Sequence, residues 1–209
     1  MPCWRTHLRF STILNESLHF EGREREQFLF GSIAPDLNNG YIVDTAYKAS
    51  HAVTHFAGKE HWTEKLFYKE YQQEIKAKNP FCLGVFFHIY IDMVFNENFY
   101  SEILAPKSEE KIANDEYRIK KQKDFAVFGR LSKDYDLHFA FPEETLEAAK
   151  IVKEYKFSKK DLVGVEKYFD DIKRYEQGNP DYKYNYYNDD YLEKLAHSAV
   201  ESFRRLYCA

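Results

Sequence analysis

Pro80-Phe81-Cys82-Leu83-Gly84-Val85-Phe86-Phe87-His88-Ile89-Tyr90-Ile91-Asp92 decides how this chain is read. The run is apolar and long enough for a helix, and Asn79-Pro80 before it is a suitable cap and first-turn pair. Its only strongly polar groups, His88 and Asp92, are four residues apart and so share one helix face. An imidazole and a carboxylate therefore point together from a helix whose composition buries it. A bare buried carboxylate costs several kcal/mol, at about the level of an unpaired polar group or more. A buried His–Asp hydrogen bond would reduce that cost. A carboxylate that only orients the imidazole is a second solution, and a metal ion satisfying both groups is a third.

Outward from this helix, the periodicity is helical almost throughout. A first helix is expected after Thr6, a second over Glu24–Phe30 closed by Gly31, and a loop over Gly31–Gly40 from its Gly, Pro and Asn content. Two helices are expected near 44–57 and 62–77, then the apolar one at 80–99. A charged helix from Glu109 to Leu131 reads as solvated, because acids and bases alternate along it. Helices starting near Glu143 and after Ser158, a break at Gln177-Gly-Asn-Pro180, a Tyr-rich loop at 182–191 and a last helix over Asp190–Tyr207 complete the expectation: one all-α domain over 1–209.

Composition excludes several classes. The 8 Gly and 6 Pro are too few for the turns of a β-sandwich or barrel. A net charge of −4 with interspersed signs is not a nucleic-acid footprint. Cys3, Cys82 and Cys208 are odd in number and far apart, which indicates neither a disulfide framework nor a zinc knuckle. No apolar h-region follows the first residues and no run approaches a membrane span, so a cytoplasmic protein is expected. Phosphate-binding Gly loops, a Gly-x-Ser-x-Gly elbow, a dinucleotide fingerprint and a His-Glu-x-x-His helix are all missing.

Other His and Asp residues carry weaker signals. His51 and His55 are four apart, so both could hold one metal, or one of the two could face solvent. Asp36 follows Pro35 in the Gly/Pro loop, a place suited either to an Asx-turn or to a functional side chain. Asp124 and Tyr90 are secondary site candidates that also read as a surface acid and a core aromatic. Cys82 reads as inert packing.

Taken in order, Thr6-His7, Gly31-Ser-Ile-Ala-Pro-Asp36, Lys48-Ala-Ser50 running into Thr54-His55-Phe56, and Gly84-x-x-x-His88-x-x-x-Asp92 resemble the zinc-dependent phospholipase C family. These are all-helical hydrolases related in design to the S1/P1-type nucleases, and the resemblance covers about residues 1–100. It implies zinc ions held among helices and a metal-activated water attacking phosphorus. It implies His88 as a ligand, Asp92 as a carboxylate bridging two metals, Asp36 as a ligand and candidate base, and His55 and His7 as further ligands. Trp4 is internal where secreted members use an N-terminal Trp. The His-x-x-x-Glu of a third zinc has only a loose counterpart in His197-Ser-Ala-Val-Glu201. One or two ions are therefore expected.

The set His7, Asp36, His55, His88 and Asp92 suits zinc, with manganese or iron also possible. The expected activity is hydrolysis of a small phosphoester or phospholipid headgroup. No nucleic-acid partner and no membrane span are expected. The competing reading is a helical scaffold with a structural or vestigial metal site.

Overall fold

The computed structural model describes residues 3–57, 64–98, 114–130, 137–177 and 183–208. Among these the chain is all-helical, without a strand: α1 Trp4–Leu18, α2 Gly22–Gly31, α3 Ala34–Leu37, α4 His51–Thr54, α5 Glu64–Glu70, α6 Gln72–Lys76, α7 Pro80–Asn98, α8 Asn114–Arg130, α9 Pro142–Ala149, α10 Lys159–Gln177 and α11 Asp189–Phe203. A π-helical turn, Arg204–Cys208, follows α11. No helix among the described residues is long and apolar enough to cross a membrane. The three cysteines are free.

Helix α7 is the centre of the packing. Its residues from Phe81 to Asp92 are buried without a break, as expected of a helix apolar on every side. The Asn79 side chain accepts from the Cys82 N–H at 3.0 Å, the cap read from the sequence. Helix α2 crosses α7 at Gly31 and Gly84. A Cβ on Gly31 would strike the Phe81 carbonyl, and one on Gly84 would strike the Phe28 carbonyl. Two backbones can approach this closely only where both lack a side chain.

Helix α1 lies along α7 in the same direction. His7 sits beside His88 and Asp92, and three residues later Phe10 packs on Phe95 with ring centroids 5.3 Å apart. Helix α8 joins them through Phe125 against Phe95 and through the Phe125 carbonyl, which accepts from Thr6 Oγ1 at 3.3 Å. One hydrophobic cluster runs from Trp4 to Phe203, so both halves of the chain share a core. The buried Glu26 carboxylate adds a polar tie between them. It accepts from the Ala140 and Phe141 N–H groups and the Thr145 hydroxyl, fixing α2 to the start of α9.

Several expectations need correction. The segment 44–57 forms only the single turn α4, and 62–77 breaks into α5 and α6 at Tyr71. The Gly31–Gly40 loop contains the one-turn helix α3, with Pro35 in its first turn. Helix α1 begins at Trp4, ahead of Thr6. Helix α8 is not purely solvated, since Lys121, Asp124, Phe125 and Phe128 are buried. Its expected start near Glu109 lies outside the described residues.

Candidate metal centre

The structure brings the five expected side chains to one place. His7 comes from α1, Asp36 from α3, His55 from just after α4, and His88 and Asp92 from α7, and none is more than 4 % exposed. The short elements that deliver Asp36 and His55 are held by long-range bonds. Asn38 accepts from Ala49 N–H through its backbone at 2.8 Å, and its amide donates to the Tyr47 and Lys156 carbonyls. The Tyr155 hydroxyl donates to the Thr54 carbonyl at 2.6 Å. Ser50 Oγ caps α4 by accepting from the Val53 N–H.

Two of the imidazoles have their orientation set by a neighbour. His88 Nδ1 donates to the Ser32 carbonyl at 2.7 Å, a bond made possible by the Gly31/Gly84 crossing next door. The Thr54 hydroxyl lies 3.3 Å from the His51 carbonyl and 2.9 Å from His55 Nδ1, so where it donates to the carbonyl it accepts from the ring. In that tautomer of the neutral rings both Nε2 atoms are acceptors. They face each other at 3.2 Å. Two lone pairs at that distance repel unless a proton or a cation lies between them. This pattern, with the far ring nitrogen tied to a carbonyl or hydroxyl, is the usual support for a metal-ligating histidine.

Asp92 adds to the case. Its Oδ2 lies 3.5 Å from His55 Nε2 and 3.5 Å from His88 Nε2, while Oδ1 lies 3.3 Å from His7 Nε2. None of these approaches is aligned as a hydrogen bond, and neither oxygen has such a partner among the described residues. The His7 ring nitrogens are likewise buried without one. Asp36 closes the group: Oδ1 is 3.5 Å from His55 Nε2 and accepts from the Asn39 amide, and Oδ2 is 4.0 Å from His88 Nε2. Ligands of a tetrahedral zinc with bonds of about 2.0–2.1 Å stand roughly 3.3–3.4 Å apart. The observed spacing thus suits a cation better than it suits hydrogen bonding.

Electrostatics agree. Burial pushes the His7 pKa down to about 4, with the charge of His88 adding to the effect. Burial works to raise Asp92 and Asp36, but the surrounding imidazoles outweigh it and hold both carboxylates below their ordinary value, Asp92 well below. Burial also opposes charge on His88, yet Asp92, Asp36 and the Ser32 carbonyl raise its pKa. Without a metal, a proton held between the two Nε2 atoms would relieve their repulsion, and the direction of the His88 shift favours such a proton.

His51 is the member that sequence reasoning missed. Its ring stacks on His55, centroids 3.6 Å apart and planes 11° from parallel, and it is half-buried. His7 stacks on His88 in the same way at 3.9 Å. Among the described residues three overlapping groups could hold a metal ion, with ligand atoms mutually within 4.8 Å: His7–His88–Asp92, Asp36–His55–His88 and His51–His55–Asp92. The four-residue spacing of His51 and His55 was the available signal. That spacing left open a shared metal or one solvent-facing ring, and the single turn of α4 places both rings side by side.

The secondary candidates lie elsewhere. Asp124 accepts from the backbone N–H groups of Asn185, Tyr186 and Tyr187 and from the Asn185 amide, so it anchors the Tyr-rich loop. Tyr90 packs against Phe203 and Tyr207. His197 and Glu201 line a separate cavity with Glu16 and Arg204. Cys82 is buried, and burial pushes its thiol up to about 12, consistent with inert packing. Compared with known proteins, the chain matches no family model, no curated protein and no solved structure.

Proposed function

We propose that this chain is a metal-dependent hydrolase of a phosphoester, with zinc as the preferred ion. His7, Asp36, His55, His88 and Asp92 would hold the metal. The observation that carries this reading is Asp92, a buried carboxylate with no hydrogen bond to either oxygen among the described residues, faced instead by three imidazoles. Imidazole nitrogen and carboxylate oxygen together are a donor set that zinc accepts readily. When bound, the ion would supply Lewis-acid polarisation of a phosphoryl oxygen and a water acidic enough to ionise near neutral pH.

The chain's own residues do the rest. The Ser32 carbonyl and the Thr54 hydroxyl keep the Nε2 lone pairs of His88 and His55 aimed inward. Asn39 donates to Oδ1 of Asp36, which would orient that carboxylate as a ligand and as the candidate base for water activation. Buried Phe86, Phe87 and Phe95 on the same helix lower the local dielectric and strengthen each charge interaction. The substrate class, a small phosphodiester or phospholipid headgroup, follows from the family resemblance of residues 1–100.

One observation favours the second reading, a structural metal in a non-catalytic helical protein. Five donors that are almost wholly buried resemble a closed site, whereas catalytic zinc keeps an open position. Metal analysis of the purified chain, then turnover of bis(p-nitrophenyl) phosphate with and without chelator, separates the two. Hydrolysis should appear with bound zinc and vanish on chelation. Zinc whose removal unfolds the chain, with no turnover at any metal loading, would establish the structural role instead.

A further inference from the structure

The buried donors outnumber what one ion can use. A tetrahedral ion is filled by four ligands. His55 Nε2 and His88 Nε2 face each other at 3.2 Å, with Asp92 Oδ2 3.5 Å from each. Asp36 reaches His55 through Oδ1 at 3.5 Å and His88 through Oδ2 at 4.0 Å, and an inner ion would draw on these groups. His55 and His88 are then spent, because each ring's other nitrogen is committed to Thr54 or Ser32. Asp92 Oδ1 is left over, turned toward His7 at 3.3 Å. His51 also remains, with a ring nitrogen inside the 4.8 Å group it forms with His55 and Asp92.

We propose that His51 is a metal ligand, and that with Asp92 it holds a second ion on the solvent side of the centre. This rests on the reading above that the cluster is a metal centre. The stacking of His51 on His55 is what places it. Ser50 starts α4, and residues 51 and 55 come one turn apart with their rings face to face. Its partial exposure sets it apart from the other five, which are sealed in the interior. An ion with one ligand at the surface is the one that water and a substrate anion can reach and that a chelator removes first. Asp92, common to the His7–His88–Asp92 and His51–His55–Asp92 groups, would be shared between the inner and outer ions, a placement that would let two metals act on one phosphoryl group. The difficulty posed by a closed inner site is removed, because the open positions belong to the outer ion.

The test uses the full chain, stripped of metal and titrated with zinc alone. The wild type should take up about two ions and release them to a chromogenic chelator in a fast and a slow phase. His51→Phe keeps a ring to stack on His55 but removes the nitrogen; measured on the folded fraction, it should bind about one ion and lose the fast phase. His51→Cys, which restores a donor, should regain the second ion, with cadmium favoured over zinc. If His51→Phe binds as many ions as the wild type with both release phases intact, or if the wild type binds only one, the outer site does not exist. A wild type that binds no ion at all would overturn the metal-centre reading itself, a result distinct from either of these.

Discussion

Asp92 on α7 and Asp124 on α8 are aspartates at helix positions, 1 % and 0 % exposed, inside the same core. Their surroundings are opposite. Asp124 receives three backbone N–H groups and a side-chain amide, at 2.7 to 3.2 Å. Asp92 receives no hydrogen bond among the described residues and is ringed by imidazole nitrogens at 3.3 to 3.5 Å. Burial imposes a comparable desolvation cost on both. At Asp124 the fold meets that cost with amides, which leaves nothing for a ligand to do. At Asp92 the fold leaves the charge to be met by something positive, either a proton on His88 or a metal. A buried carboxylate is thus informative about function only once its donors are known.

The largest effect should come from Asp92→Asn. It removes the group on which the three imidazoles converge, so zinc affinity should fall by more than about 100-fold, beyond the loss typical of supporting residues, and turnover should go with it. The metal-free fold should survive, because Asp92 accepts no hydrogen bond among the described residues. Unfolding of the metal-free variant well below the wild-type midpoint would mean that Asp92 is a structural anchor like Asp124. The converse experiment is Asp124→Ala, which strands three backbone N–H groups and should cost about 3–5 kcal/mol of stability. Its zinc stoichiometry, measured on the folded fraction, should equal that of the wild type; loss of metal would merge the two regions into one site.

The same contrast shows what could be read in advance. The apolar run from Phe81 to Asp92 and its Asn79 cap are local signals, and α7 ends within a residue of its expected bounds. The His88/Asp92 face followed from helix geometry alone. Asp124 was not legible as an anchor, because its donors come from residues 61 to 63 positions further along the chain. Nor was the single turn of α4. Residues 44–57 alternate like a helix, but Asn38 holds Tyr47, Ala49 and the distant Lys156 in a bonded loop that competes with helical hydrogen bonding. The same long-range bonding carried His51 into the cluster. Helix periodicity located His88 and Asp92, and the family resemblance pointed to His7, Asp36 and His55; neither could say that tertiary packing would bring the His51 ring to the same cluster.

A subtler change sharpens the comparison without touching a ligand. Thr54→Val keeps the shape of the side chain and removes the oxygen that accepts from His55 Nδ1. His55 can then take either tautomer or turn, and zinc affinity should fall about 10- to 100-fold. Loss of the Oγ1 bond to the His51 carbonyl should cost about 1 kcal/mol of stability. Isothermal titration with zinc measures the first and chemical denaturation the second. An unchanged zinc affinity would show that the His55 ring is held by stacking on His51 alone.

The smallest expected effect, no more than about 1.4 kcal/mol per pH unit for one titrating group, distinguishes the metal-free centre from the amide-anchored half by proton linkage. His7 titrates at about 4 in the fold against 6.5 ordinarily. As pH falls from 6.5 toward 4 the unfolded chain therefore takes up a proton that folded His7 refuses, and stability declines. His88 is shifted the other way. Its contribution is complete below 6.5 and is lost as pH rises through its raised folded value. The two windows meet near pH 6.5, so the metal-free protein should be most stable there and weaken on both sides. Zinc should flatten the upper limb, because a bound ion replaces the proton that His88 otherwise needs. His7→Phe should make the lower limb shallower, leaving the part due to His51, which burial also lowers to about 4, and should leave the upper limb in place. Denaturation midpoints across pH 4 to 9, with and without zinc, measure both slopes. A metal-free curve that rises steadily through pH 6.5 would mean that His88 holds no proton in the fold, and that the facing Nε2 atoms at 3.2 Å are relieved by movement of the rings instead.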